Sequence, residues 1–230
     1  FNLASAIAKE VKSPADEATA LYQLARTELA RGNFQQSLSY VEDSLKLIES
    51  LRSGLVSQES RAAFFAAAQN SYQLYIDVLM RQHQTEPSKG NNAMAFEISE
   101  RARARGLLEM LAESRADIRR GVDAALLERE RLLASQFNEK ARRLTQANTP
   151  AQLTALKQEI SAIENDYEQV QAAIRRASPR YATLTEPPVL KLADIQQQLG
   201  ADTLLLEYSL GEERSFLWGV GQNSLVSYEL

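Results

Sequence analysis

Seven apolar residues, spaced alternately three and four positions apart, constrain the fold of this chain more than any other feature. They are Leu153, Leu156, Ile160, Ile163, Tyr167, Val170 and Ile174. This is a heptad seam, in which all seven side chains fall on one face of a helix. The segment 122–148 carries a second apolar stripe, and only a few residues connect the two, as between antiparallel neighbours. The sequence therefore predicts a long antiparallel helical hairpin over residues 122–177. An intermolecular coiled coil through the same seam is the alternative.

Residues 18–50 show the pattern of two closely packed helices. Small residues at Ala25, Ser37 and Ser44 would let the helices approach, and Gly32 can adopt the left-handed backbone that ends the first helix. The order of large, small and turn residues resembles one tetratricopeptide (TPR) repeat. An ordinary αα-hairpin is the alternative interpretation.

A second, elongated helix pair is expected after the first. Three- and four-residue spacing predicts helices over about 58–82 and 93–113, joined by a polar loop. The residues expected to be buried in them are Phe64, Ala68, Tyr72, Tyr75, Ile76, Leu79, Phe96, Ile98, Leu107, Leu108 and Leu111. We therefore assign residues 1–121 to TPR-like helical repeats.

The chain changes character at Ser178, and residues 178–230 are predicted to form a linker followed by strands. The linker over 178–189 should be extended because it contains three prolines. A short strand is expected at 190–192, a short helix at 193–199, and strands at 203–210, 215–220 and 225–230. The predicted fold class is therefore mainly α: a TPR-like αα-superhelix and a long helical hairpin, with a small C-terminal antiparallel β-element. Its sheet would have an unprotected edge.

Composition excludes several classes of function. The 26 basic and 30 acidic residues give a net charge of −4, which argues against a dedicated nucleic-acid or anionic-membrane binder. No apolar run approaches the length of a membrane span. The chain has no Cys and one His, so we expect no catalytic residues, no cofactor and no metal site.

The start of the sequence lacks an initiator Met and suggests a piece of a longer protein. We expect a cytoplasmic location, and a periplasmic one stays open.

Several runs together resemble the TPR-linked CHAT proteins, which join helical repeats to a caspase-like peptidase domain. The most specific run is 95–108, AFEISERARARGLL. Others are Tyr75–Met80, Ser178–Ala182, and Leu204–Leu210 followed by Phe216–Trp218. The resemblance implies that residues from about Pro188 onward are the first strands of a CHAT domain. The catalytic His and Cys of that family would lie beyond Leu230, so no residue here corresponds to them.

The resemblance implies a non-catalytic, regulatory segment that binds a protein or peptide and couples this binding to a caspase-like cysteine peptidase domain. TPR helices bind with the inner face of the first helix of each pair, which by analogy gives Thr19, Tyr22, Arg26 and Leu29 as partner-binding residues. The alternative is a structural module that forms homodimers through the hairpin or the sheet edge.

Other charged residues are most simply interpreted as solvated. His83 adjoins a polar loop and should be solvated. Helical geometry places Arg101 and Arg105 on one face and Arg103 on another. Surface pairs, such as Glu97 with Arg101, are the simplest interpretation of these arginines. Docking against the catalytic domain is the alternative. The carboxylate pairs Glu128/Glu130 and Glu212/Glu213 are also expected to be solvated.

Overall fold

The computed structural model describes residues 1–10, 13–51, 58–113, 122–146, 148–178 and 190–230, with the backbone alone for 58–63, 108–113 and 145. Over these residues the protein is mainly helical and ends in a three-stranded antiparallel sheet, which confirms the predicted fold class at that level. None of the described helices combines the length and apolar character needed to cross a membrane. The predicted extended linker lies, apart from Ser178, outside the described residues.

From residue 14 onward the helices and the last three strands follow one another in the predicted order, and a first helix that the sequence patterns did not predict precedes them. The helices are α1 (Asn2–Glu10), α2 (Pro14–Ala30), α3 (Phe34–Leu51), α4 (Gln58–Thr85), α5 (Asn91–Glu113), α6 (Ala124–Thr145), α7 (Pro150–Ala177) and α8 (Leu192–Gln198). The strands are β1 (Leu205–Ser209), β2 (Phe216–Gly221) and β3 (Ser224–Glu229). A 3₁₀ turn, Pro87–Lys89, precedes α5.

The chain divides into two compact units. One contains Phe1–Glu49, Ala66–Leu107 and Pro188–Leu230, and the other contains Ser50–Phe65 and Leu108–Pro187. The sheet therefore belongs to the same unit as α1 to α3 and most of α4 and α5, although residues 178–230 were expected to form a segment of their own.

Small residues hold α2 and α3 together as the repeat pattern predicts. Gly32 has a φ of 79°, the left-handed conformation that lets the chain turn between the helices. The buried hydroxyls of Ser37 and Ser44 donate hydrogen bonds to the carbonyl oxygens of Ala25 and Ala18, each at 2.8 Å. These bonds span the two helices, so the serines act both as small residues and as polar ties between backbones.

Residues at the predicted positions of α4 and α5 form much of the core of the first unit. Buried members include Ala68, Tyr72, Ile76, Leu79 and Phe96. Two predicted core residues are not fully buried: Leu107 is 57% exposed, and Ile98 is half-buried. Leu108 and Leu111 have side chains outside the described part of the structure.

Helices α6 and α7 of the second unit pack together as the predicted hairpin. Thr149 caps α7 by accepting a hydrogen bond from the backbone N–H of Gln152 at 3.3 Å. The core of the hairpin is made by Leu133, Tyr167, Val170 and Ile174, with half-buried apolar residues around them. Burial of the seam falls towards the tip, where Leu153 is 36% exposed.

One carboxylate of the hairpin lies where the sequence analysis did not expect it. Glu130 is buried rather than solvated. It accepts hydrogen bonds from the hydroxyl of Tyr167, at 3.4 Å, and from the amide of Gln171. These partners lie on α7, so the acid is stabilised by the helix that covers it.

The sheet has the strand order β1-β2-β3, and both pairs are antiparallel. Glu207 lies opposite Trp218, and Trp218 opposite Ser227. The predicted strand at 190–192 does not form, because Leu192 begins α8 and Asp194 accepts a hydrogen bond from the backbone N–H of Lys191 at 3.0 Å.

We predict that the hairpin depends on the end of the seam far from its tip. Ile174 is fully buried, so Ile174→Ala should lower the free energy of unfolding by about 2–5 kcal/mol. Leu153→Ala, the matched control at the tip, should cost less than about 1 kcal/mol. Urea denaturation followed by circular dichroism measures both. Equal losses would contradict the observed gradient of burial.

Candidate interaction surfaces

The residues predicted to bind a partner lie on α2 and differ in exposure. Thr19 and Arg26 are exposed, Tyr22 is half-buried and Leu29 is buried. The guanidinium carbon of Arg26 lies 5.9 Å from the centre of the Tyr22 ring, a cation–π arrangement. The structure therefore brings Tyr22 and Arg26 together on an accessible surface. It places Leu29 in the core, where its side chain is not presented to a partner.

An open cleft of about 740 Å³ lies where the turn between α2 and α3 meets the end of α4. Its polar lining residues include Glu28, Gln36, Gln82, Glu86 and Lys89. Hydrogen bonds from Asn33 and Arg31 lower the pKa of Glu28 and hold its carboxylate at the rim. Phe34 and Tyr40 also line the cleft, so it offers apolar surface as well as hydrogen-bonding groups.

The three arginines of α5 face three different partners. Arg101 lies over the Tyr72 ring of α4, with its guanidinium carbon 5.8 Å from the ring centre. Arg105 forms an ion pair with Glu49 of α3, and both side chains are largely buried. Arg103 forms an ion pair with Glu207 of β1, with 3.1 Å between Nη2 and Oε2. Arg103 therefore contacts the sheet in addition to the local pair that it forms with Glu100 of its own helix.

Glu97 does not form the predicted pair with Arg101. Its carboxylate accepts hydrogen bonds from Nζ of Lys191 at 2.9 Å and from the backbone N–H of Leu192 at 3.0 Å. These contacts attach the start of α8 to α5. A local rule of helix pairing fails here because a partner nearly a hundred residues away is better placed.

Glu207 is the most unusual residue of the contact between α5 and the sheet. It lies in the middle of β1, and 1% of its surface is exposed. Burial raises the pKa of Glu207, although a hydrogen bond with Ser99 and the charge of Arg103 act in the opposite direction. Trp218, its neighbour across the strands, packs edge-on against Phe96 with ring centres 6.3 Å apart. Among the described residues, Oε1 of Glu207 and Nε1 of Trp218 have no hydrogen-bond partner.

Helix α4 holds the rim of the sheet. Arg214, in the turn between β1 and β2, contacts Asp77 at 3.3 Å and donates from Nε to Glu229 at 2.6 Å. Glu229 also accepts a hydrogen bond from Gln84 at 2.7 Å. These bonds raise the pKa of Arg214 and lower that of Glu229. The sheet is thus attached by charged contacts to α4 as well as α5.

The face of the sheet that points away from these contacts is apolar and uncharged. Alternation along the strands places on it Leu204, Leu206, Tyr208, Leu210, Leu217, Val226, Tyr228 and Leu230. We call this set the outer face. Most of these side chains are exposed, Leu206 to 51% and Tyr208 to 55%. Gly219 lies at its centre, where an added Cβ would come within 3.1 Å of Val226. Exposed apolar surface of this extent is typical of an interaction site.

The other residues that the sequence analysis considered for chemistry do not cluster into a site among the described residues. His83 is half-buried rather than solvated, and its Nδ1 is buried without a partner among the described residues. Within the part of the chain that the structure describes, no group of three His, Asp or Glu side chains is placed to hold a metal ion.

Comparisons of this chain with protein-family models, with curated proteins and with solved structures find no match. The residue that sequence reasoning missed is Glu207. A signal for it exists: it is the one charged residue within the apolar run TLLLEYSL.

We predict that Glu207→Gln makes the protein more stable than the wild type at neutral pH. A carboxyl whose pKa is raised on folding favours the folded state most when it is protonated, below its ordinary value of 4.5. That contribution is lost as the pH rises through the folded-state pKa. The stability difference between Glu207→Gln and wild type should therefore grow in favour of the variant as the pH rises from 4.5 to 7.

Urea denaturation across this pH range measures the difference, and Glu213→Gln, at an exposed glutamate, is the control. If attraction to Arg103 outweighed burial, the sign would reverse. Glu207→Gln would then be the less stable protein at neutral pH, and its deficit would shrink on acidification.

Proposed function

We propose that this chain is a non-catalytic interaction and regulatory segment of a TPR-CHAT protein. It would bind a protein or peptide partner on its repeat helices and couple this binding to a downstream caspase-like cysteine peptidase domain. The observation that carries the proposal is a sheet that is fixed to helices α4 and α5 on one face and presents an uncharged apolar face on the other. A sheet with apolar residues on both faces is typical of a layer covered on both sides, as in α/β domains.

The helical part supports the same proposal. The left-handed Gly32 and the buried small residues Ala25, Ser37 and Ser44 match what a TPR pair requires. Stacked pairs of this kind present an extended binding surface. Tyr22 and Arg26, which stack on each other at that surface, are the residue types most often found at the energetic centre of protein interfaces.

Peptidase chemistry is assigned to residues outside this sequence. The chain contains no Cys, so it cannot supply a thiolate nucleophile. The second candidate function, homodimerisation, is favoured by the outer face and the two edges of the sheet. Light scattering over a wide concentration range separates the two, because a mass that stays that of one chain of 25.7 kDa rules out the dimer.

We predict that a partner isolated with this chain loses affinity at least about tenfold with Tyr22→Ala or Arg26→Ala, the loss typical of interface hot spots. Thr27→Ala, an exposed change elsewhere on the same helix, should leave the affinity unchanged. Isothermal titration calorimetry with the purified partner measures this. The same partner should then change the peptidase activity of the protein that carries this segment. A partner insensitive to both substitutions would place binding elsewhere.

A further inference from the structure

We propose that α5 transmits changes in the packing of the repeat helices to the sheet, and that the Arg103–Glu207 ion pair is the coupling link. The inference rests on the proposed regulatory function and names the route by which regulation would pass through the chain.

One face of α5 contacts the sheet. Phe96, Ser99, Glu100 and Arg103 follow the spacing that places four residues on one side of a helix. Phe96 packs on Trp218 of β2, and Arg103 bridges the carboxylates of Glu100 and of Glu207 on β1. These contacts reach the buried centre of the sheet rather than its rim.

A different face of α5 contacts the repeat helices. Arg105 pairs with Glu49 at the end of α3. Glu49 also accepts a hydrogen bond from the hydroxyl of Tyr72, on α4, at 2.9 Å. Arg101 covers the ring of that same tyrosine. The carboxylate of Glu49 therefore joins α3, α4 and α5 at one point.

The two contact regions lie within a few residues of each other on one continuous helix. A helix is rigid over this distance. A shift of α5 that keeps Arg105 paired with Glu49 therefore also displaces Arg103. Glu207 cannot follow independently, because a buried carboxylate that loses its cation is strongly disfavoured. Movement at Glu49 should therefore appear as altered stability of β1.

Helix α4 offers a second attachment, through Asp77, Arg214 and Glu229, at the rim of the sheet. It does not include Arg103 or Glu207. This attachment supplies a matched control, since Arg103 and Arg214 are both arginines that join a helix to the sheet through ion pairs.

Hydrogen–deuterium exchange of the β1 amides in the full chain tests the proposal by a double-mutant cycle. Glu49→Gln should speed exchange in β1 about fivefold or more, because it releases Arg105 and loosens α5. Arg103→Gln should speed exchange by itself. Adding Glu49→Gln to Arg103→Gln should then cause little further change, because the link is already broken.

Three further variants serve as controls for this double-mutant cycle. Asp43→Asn removes an exposed carboxylate of α3 that pairs only with Lys46 among the described ion pairs, and it should leave β1 unchanged. In the Arg214→Gln background, Glu49→Gln should retain its full effect. Glu207→Gln removes the same ion pair without leaving a buried charge, so it tests the link if Arg103→Gln does not fold.

The proposal is overturned if Glu49→Gln does not change the exchange rate of β1. It is also overturned if Arg214→Gln abolishes the effect of Glu49→Gln on that rate as completely as Arg103→Gln does. The first result means that no signal passes, and the second that the sheet merely loosens as a whole. Both are independent of partner binding at Tyr22 and Arg26. Loss of the coupling and loss of the proposed function are therefore separate outcomes.

Discussion

The arrangement of the first unit depends on the burial of one carboxylate, that of Glu207. Leu206 and Tyr208 are more apolar than Glu207 and Ser209. Hydrophobic burial in β1 alone would therefore place Leu206 and Tyr208 against the helices and leave Glu207 and Ser209 exposed. A one-residue slip in register would do so. The observed face is chosen by β2, whose Phe216, Trp218 and Val220 are fully buried, and by the groups of α5 that receive the acid. The apolar side chains of β2 and the groups of α5 around Glu207 therefore together fix which face of the sheet meets the helices.

Regular periodicity predicts the helices well because each depends mainly on its own sequence. Gly32 has the left-handed backbone that the sequence indicates, and α6 and α7 form the predicted hairpin. The three strands also agree to within two residues at each end. Short-range rules suffice where a helix or hairpin closes its own hydrogen bonds.

The errors occur where distant residues decide the outcome. Glu97 was assigned to a neighbour on its own helix, and it binds Lys191 and Leu192 instead. Leu29 was placed on a binding surface by analogy, and it is buried. Glu130 was expected to be solvated and is buried, and Glu207, for which the sequence patterns make no prediction, is buried as well. No periodic pattern encodes such contacts, which is why the core could be predicted in outline and the junction with the sheet could not.

The two faces of the sheet also differ in the kind of interaction that they can make. Charged and hydrogen-bonded contacts on the inner side are directional, so they set register and transmit displacement. The outer face has a large apolar area and, apart from the hydroxyls of Tyr208 and Tyr228, no directional groups, so it supplies affinity more than specificity. If the outer face is covered by another domain, that domain gains its orientation from strand pairing at the sheet edges rather than from the apolar contact. A displacement passed by α5 would then reach the domain through the backbone ladder of β1, the strand that Arg103 holds.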